Sequence, residues 1–320
     1  MAARIEVVHV GSACRDIDRD DPRGWRLGGG VTYAAMTTAR LGLRTVAVVG
    51  VDAEARDASE FEALRAAGCD IMFVPLPEGP VYRNVETPAG RVQTCVQPGV
   101  PLPIPPLAES WSAAAAWSIV PVAGEIRDVW AAVPPAGAFV AVAWQGLLRN
   151  LVAGRLVTPR PPVASPLLER ADLVGVSHND VDRHTPITAL TRLMHPGAQL
   201  LVTRGDHGGL LVTVGPDGPA STLRYLPTGI SREIDPTGAG DTFLAALLAS
   251  AIRPSIAGRP RSRRPLDLRF AAAAGSLVVE GPGLSAVPDR AAVNVRRVRE
   301  RVRRAIMPAE DAQVGEHRLD

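Results

Sequence analysis

No lysine occurs anywhere in the chain, so all 35 of its Lys/Arg-type side chains are arginines. That excludes the Walker-type phosphate loop, which ends in Gly-Lys-Ser/Thr, and it means that any phosphate contact from a strongly basic side chain must be a guanidinium. Cysteine is scarce too. Cys14, Cys69 and Cys95 are three widely spaced residues without a CxxC pair, which argues against a disulfide framework or a structural zinc site and fits a reducing cytosol. No window approaches about 18 uninterrupted apolar residues, and Met1-Ala2-Ala3-Arg4-Ile5-Glu6 lacks a signal-peptide pattern, so a cytoplasmic protein away from membranes is expected. An excess of charge of one sign is missing as well: 35 basic against 33 acidic residues leave +2, far from what binding to nucleic acid demands. His178, His184 and His207 show no metal-ligand spacing.

What is present is a chain of 320 residues, 46% hydrophobic, long enough to bury a full core. Short apolar runs at Val7–Val10, Thr45–Val49, Ala116–Val120, Ala138–Ala143, Leu173–Val176 and Leu200–Val202 alternate with helical patterns such as Val31–Leu41 and Leu190–Met194. Strands separated by helices predict a parallel sheet covered on both faces. From Ala239 the pattern is helical, with further helices over Leu266–Val279 and Ala291–Ile306; arginines from Arg253 to Arg264 read as an exposed loop. The segment from Ile71 to Gln97 instead alternates polar and apolar residues around Pro88-Ala89-Gly90, a hairpin signal that suggests a lid over a site. The expected organisation is one unit over residues 1–308, with lid segments at 12–20 and 71–98 and a frayed tail at 309–320.

The most specific stretch is Asp235-Pro236-Thr237-Gly238-Ala239-Gly240-Asp241-Thr242-Phe243, which leads directly into a helix. Glycines flanking an alanine let successive amides turn toward one point, and the helix start adds its positive dipole end. Asp241 sits beside that anion cradle, where a carboxylate can take the proton of an attacking hydroxyl, and the helix N-terminus should keep it ionised. The same residues would also make a plain glycine-rich helix cap.

This string resembles the C-terminal signature of the PfkB/ribokinase family of sugar and nucleoside kinases. The resemblance implies a three-layer α/β/α sandwich with a small β lid, ATP and Mg²⁺ as donor and cofactor, Asp241 as base, and Gly238, Ala239 and Gly240 as the anion hole. Gly28 and Gly29, in Leu27-Gly28-Gly29-Gly30-Val31-Thr32-Tyr33, match the family's glycine pair, which admits substrate close to the backbone. Asp16 matches the hydroxyl-binding position after the first strand, and Asn84 and Gln145 join the substrate-binding candidates. Tyr33 stands where many sugar kinases carry Asn, a variant similar to the branch that includes plant myo-inositol kinases; ribose and fructose are put in doubt. On the donor side Thr203-Arg204-Gly205-Asp206-His207-Gly208 resembles the ATP loop, naming Thr203, Arg204, Gly205 and Gly208. Asn179-Asp180-Val181-Asp182 resembles the Asn-x-x-Glu motif, in which Asn179 approaches phosphate and Asp182 would hold Mg²⁺ through water. Asp235 and Thr237 match part of a monovalent-cation site, so K⁺ activation is a hypothesis.

The implied activity is phosphorylation of a small polyol or sugar, myo-inositol-like favoured. A nucleoside kinase of the same fold, with Trp25, Tyr33 and Tyr82 as ring-stacking candidates, and a non-catalytic ligand-binding regulator are the alternatives. Pairing of exposed lids makes a homodimer an expectation.

Overall fold

A computed structural model describes residues 4–87, 90–252 and 265–306. The turn residues Pro88 and Ala89, the arginine loop at 253–264 and the tail at 309–320 lie outside the described residues.

In chain order the elements are β1 (Val7–Ser12), β2 (Cys14–Ile17), β3 (Trp25–Gly28), α1 (Gly30–Arg40), β4 (Thr45–Val51), α2 (Ser59–Ala66), β5 (Cys69–Pro75), β6 (Val81–Thr87) and β7 (Gly90–Gln97). There follow α3 (Glu109–Ser112), β8 (Ala116–Ile119), β9 (Phe139–Ala143), β10 (Arg149–Asn150), β11 (Arg155–Leu156), β12 (Thr158–Pro159), α4 (Pro166–Arg170), β13 (Leu173–Ser177) and α5 (Ile187–Thr191). The chain continues with β14 (Gln199–Thr203), β15 (Gly209–Val214), β16 (Pro219–Tyr225), α6 (Ala239–Ala251), α7 (Leu268–Val278) and α8 (Arg290–Ile306).

Nine strands form the large sheet in the order β16-β15-β14-β13-β9-β8-β1-β4-β5, parallel from β14 to β5 and closed at one edge by the antiparallel pair β15 and β16. Its inner parallel strands are largely apolar on both faces because each face is covered. In β4, Ala47, Val49 and Val51 face a core shared with α1, α2, α6 and α7. Val46 and Val48 of the same strand face the opposite core, which holds Trp117, Trp130, Leu167, Leu168 and Leu190. Two cores on either side of one sheet make the three-layer sandwich that the alternation of runs predicts. Across the first core, buried His9 of β1 meets Thr38 Oγ1 of α1 through Nε2 at 2.8 Å. Burial pushes that imidazole down to about 3, so it stays neutral and bolts α1 to the sheet.

A second sheet of five strands, ordered β11-β7-β6-β2-β3, grows from the end of β1. The hairpin reading holds for β6 and β7, which pair antiparallel from Val81–Gln97 to Thr87–Gly90. Two boundaries differ from expectation. Residues 71–75 belong to β5 at the edge of the large sheet, paired with β4, so the small sheet takes less of 71–98 than the sequence suggests. It gains β3, which pairs antiparallel with β2, and the two-residue β11. Both were hidden for a physical reason: β3 runs into Gly28-Gly29-Gly30 and reads as a turn, and two residues carry no periodicity.

Candidate active site

The turn before α6 is built by its own residues. Asp235 Oδ1 accepts the N–H of Thr237 at 2.9 Å. Gly238 then adopts the left-handed conformation, φ 79°, as the helix cap, and a Cβ there would also collide with the ring of Tyr33 beneath it. Any other residue would meet both faults. The Ala239 N–H is spent on Pro236 O at 3.3 Å, whereas the exposed Gly240 donates to no backbone carbonyl among the described residues. Its amide belongs to the first turn, where N–H groups emerge unpaired with the positive end of the helix dipole.

Asp241 follows at once, half-buried, with Oδ1 packed so tightly on Gly30 that a Cβ at that glycine would collide with it. Asp16 Oδ2 packs in the same way on Gly28. Since two residues span at most about 7 Å of chain, the two carboxylates stand at the ends of one short glycine floor. Burial pushes the Asp241 carboxyl up to about 6; the Arg149 guanidinium pulls it down and the Asp180 carboxylate pushes it up. Helix position alone therefore does not set its ionisation, as the sequence pattern suggests it should: desolvation outweighs the dipole. At neutral pH the group is charged and a stronger base than an ordinary aspartate.

Around Asp16 the small sheet supplies a chain of amides. Asn84 Nδ2 donates to Asp16 Oδ1 at 3.0 Å, and Gln93 Nε2 donates to Asn84 Oδ1 at 2.7 Å. Asn84, a candidate for touching substrate, thus has its Nδ2 on the aspartate and its Oδ1 on Gln93. Tyr33 is 3% exposed, with its ring against the Gly238 turn, and so supports the turn where the sequence pattern had it among the substrate contacts. Trp25 and Tyr82 are 7% and 1% exposed; Trp25 lies under Arg23, and the Tyr82 hydroxyl donates to Val122 O at 3.0 Å. None of the three rings is open for stacking on a base.

Beyond the carboxyl end of β13, the acidic residue whose charge acts on Asp241 is Asp180. Its Oδ2 accepts the Ser177 N–H at 3.1 Å in a capping box, and its Oδ1 accepts Gln145 Nε2 at 3.0 Å. Asp182 is exposed and accepts the N–H of His184 at 2.7 Å in a local turn, so it is not brought to the cluster; Asn179 is exposed as well. After β14, Thr203 is half-buried and its hydroxyl lies 3.5 Å from Val176 O. The Arg204 N–H donates to Gly208 O at 2.8 Å, and Gly205 to His207 stand exposed. Gly208 has φ 78° and Tyr225 O where a Cβ would go, which explains its glycine. Sequence reasoning passed over Gly30, Arg149 and Asp180. The signals available were the third glycine of a triplet, the arginine closing Gln145-Gly146-Leu147-Leu148-Arg149, and the acid three residues beyond the end of β13.

A carboxylate with a raised pKa beside the unpaired amide of a helix start is an arrangement suited to phosphoryl transfer to a hydroxyl. The pfkB family carbohydrate kinase model matches residues 5–290, and the chain belongs to that family and is a kinase. Among solved structures, the fold is shared with a pyrophosphate-dependent kinase in the ribokinase family, complexed with a pyrophosphate analog and myo-inositol, at 20% identity and TM-score 0.65, covering 90% of this chain and 99% of that one. The nucleoside kinase of Methanocaldococcus jannaschii matches at 17% identity and TM-score 0.65, covering 93% and 100%. Arabidopsis thaliana ribokinase, complexed with ribose and ATP, matches at 20% identity and TM-score 0.61, covering 92% and 99%. No curated protein matches the chain by sequence. Among the described residues no helix is long and apolar enough to cross a membrane.

Proposed function

We propose that this kinase transfers the γ-phosphoryl group of ATP to a hydroxyl of a small polyol or sugar, with a myo-inositol-like ring favoured. The observation that carries the reading is the pair of carboxylates at the two ends of Gly28-Gly29-Gly30: Asp16 to accept hydrogen bonds from ring hydroxyls, Asp241 to take the proton of the one that attacks. Amides of the 238–240 turn, Gly240 foremost, stand ready for the negative charge of the transferring group. Burial of Trp25, Tyr33 and Tyr82 weighs against a nucleoside acceptor, which would want an open aromatic face.

For the donor, Thr203, Arg204, Gly205, Gly208 and Asn179 form the proposed phosphate side. A cavity of about 800 Å³ opens beside Tyr225, lined by Leu226, Leu268 and Ala272 together with Arg224, Asp267 and Arg297, and it is the proposed place for the base and ribose of the nucleotide. Among the described residues, none that lines it belongs to the Asp241 cluster. Mg²⁺, when bound, would neutralise charge on the phosphates; Asp180 fits the outer sphere of a hydrated ion, since both its oxygens take one N–H each and keep lone pairs for water. Asp182 is the weaker candidate for that place. The small sheet serves as the lid: Tyr82, Asn84, Gln93 and Cys95 share one face of it, while Val85, Val92 and Val96 are exposed on the other. That outer apolar face supports a homodimer through the lid, which sedimentation velocity would detect. Buried free thiols at all three cysteines favour a cytoplasmic setting.

The deciding experiment is a release assay for ADP or phosphate, run with ATP and with pyrophosphate over inositols, pentoses, hexoses and nucleosides. ATP-dependent turnover of an inositol or a related polyol is expected. Turnover with pyrophosphate alone would overturn the donor, and a nucleoside as best acceptor would overturn the acceptor.

A further inference from the structure

Below the turn that opens α6, the small sheet sends an arginine across to the connection between β16 and α6. Arg26 of β3 donates from Nη1 to Asp235 Oδ2 at 3.1 Å, and its Nε stands 2.7 Å from Asp18 Oδ2. Asp235, 8% exposed, has its carboxylate taken up further by the Thr237 N–H on Oδ1 at 2.9 Å and the Gly283 N–H on Oδ2 at 3.3 Å. The nearby Val279 carbonyl accepts from the N–H groups of Ile234 and Asp235 at 2.7 and 3.2 Å.

A bare monovalent cation needs oxygen lone pairs aimed at one point. Here three N–H donors take up the carboxylate that the family resemblance offers as a K⁺ ligand, and one of them carries a permanent positive charge. The residues present do not fit K⁺. We propose that Arg26 takes the place of the activating ion: its guanidinium neutralises Asp235, holds the Asp235-Pro236-Thr237-Gly238 turn in the shape that presents the amides, and makes the kinase independent of K⁺. Arg26 is a positioning residue acting through Asp235, and because it sits on the small sheet, the shape of the anion hole is tied to the placement of that sheet. The inference rests on the kinase reading above for its effect on turnover, but not for its effect on the turn.

The test compares wild type, Arg26→Ala and Arg26→Lys in potassium chloride and in tetramethylammonium chloride at equal ionic strength, reading phosphotransfer and thermal unfolding separately. Wild type should show the same turnover and melting midpoint in both salts. Arg26→Ala should lose turnover on the order of tenfold in tetramethylammonium, because the aspartate is left buried without its cation. It should recover, and melt higher, on addition of K⁺ or of millimolar guanidinium; Arg26→Lys, which keeps the charge, should be less impaired. A wild-type enzyme whose turnover or midpoint rises with K⁺ would overturn the proposal. So would an alanine variant that matches wild type in both salts, or one whose loss neither cation restores. Failure to find any acceptor would sink the functional reading and leave the melting comparison able to decide this one.

Discussion

The two sides of the site are held by different means. On the proposed acceptor side, side chains are locked to one another: Gln93 holds Asn84, Asn84 holds Asp16, and Asp16 and Asp241 press on Gly28 and Gly30. On the proposed donor side, backbone bonds close the loop from Arg204 to Gly208, and Gly205, Asp206, His207 and Asn179 stand in solvent. A cluster of interlocked polar groups sets a geometry in advance, so it can select among hydroxyl patterns. Phosphate is the same in every donor, and a glycine loop can grip it through main-chain amides whatever side chains it carries. The difference teaches where selectivity should be sought and where substitution should be harmless.

The sharpest way to break that comparison is at the base. Asp241→Asn should lower kcat by roughly 10²- to 10⁴-fold with little change in donor affinity. Its melting point should not fall, because the raised pKa means that ionising this carboxyl costs folding free energy as pH climbs from its unfolded value of 3.8 through about 6, a cost the amide avoids. Retention of near-full turnover would remove Asp241 from the mechanism. Next come the glycines. Gly30→Ala pushes its methyl into the Asp241 carboxylate and the buried Val120 side chain, so kcat should drop by at least roughly tenfold with a modest loss of thermal stability. Gly238→Ala should lose both, since left-handed strain of about 1–2 kcal/mol adds to the collision with Tyr33. A pair of melting curves and steady-state assays separates the two cases.

Smaller effects refine the picture. Asp16→Asn removes a charged acceptor worth about 1.5–3 kcal/mol, so the acceptor KM should rise roughly ten- to hundredfold while donor KM holds. In pH profiles, kcat/KM should fall as pH drops through about 6, since protonation removes the base; Arg149→Gln, which deletes the cation that lowers the Asp241 pKa, should move that limb upward. At the bottom of the scale, Asp206→Ala and His207→Ala should change either KM by less than about twofold. A large effect there would mean that the donor loop also reads side chains.

Much of this was legible from neighbours along the chain. Apolar runs of strand length flanked by helical patterns gave a parallel sheet with two covered faces, and the run from Asp235 to Phe243 spelled a turn that only glycine at 238 could make. The hairpin of β6 and β7 followed from alternation. What misled was a choice among equivalents: Asp180 and Asp182 look alike in the letters, but the last residue of β13 sets which one acts on Asp241 and which one caps a turn. Tyr33 is a substrate candidate because it stands where many sugar kinases carry Asn; three-dimensional packing lays its ring under Gly238.

The sequence by itself determined the layered α/β architecture and the glycine turn that opens α6, because strand period, helix period and backbone freedom at glycine are properties of adjacent residues. Only the tertiary structure decided which charges meet: Arg26 reaches Asp235 across 209 positions, and Asp16 meets Asn84 across 68. Parallel strands need crossovers, and each crossover returns the chain to the same sheet edge from a distant stretch of sequence. The partners that set a pKa or hold a turn in shape are therefore chosen by strand order and register, which no local pattern records.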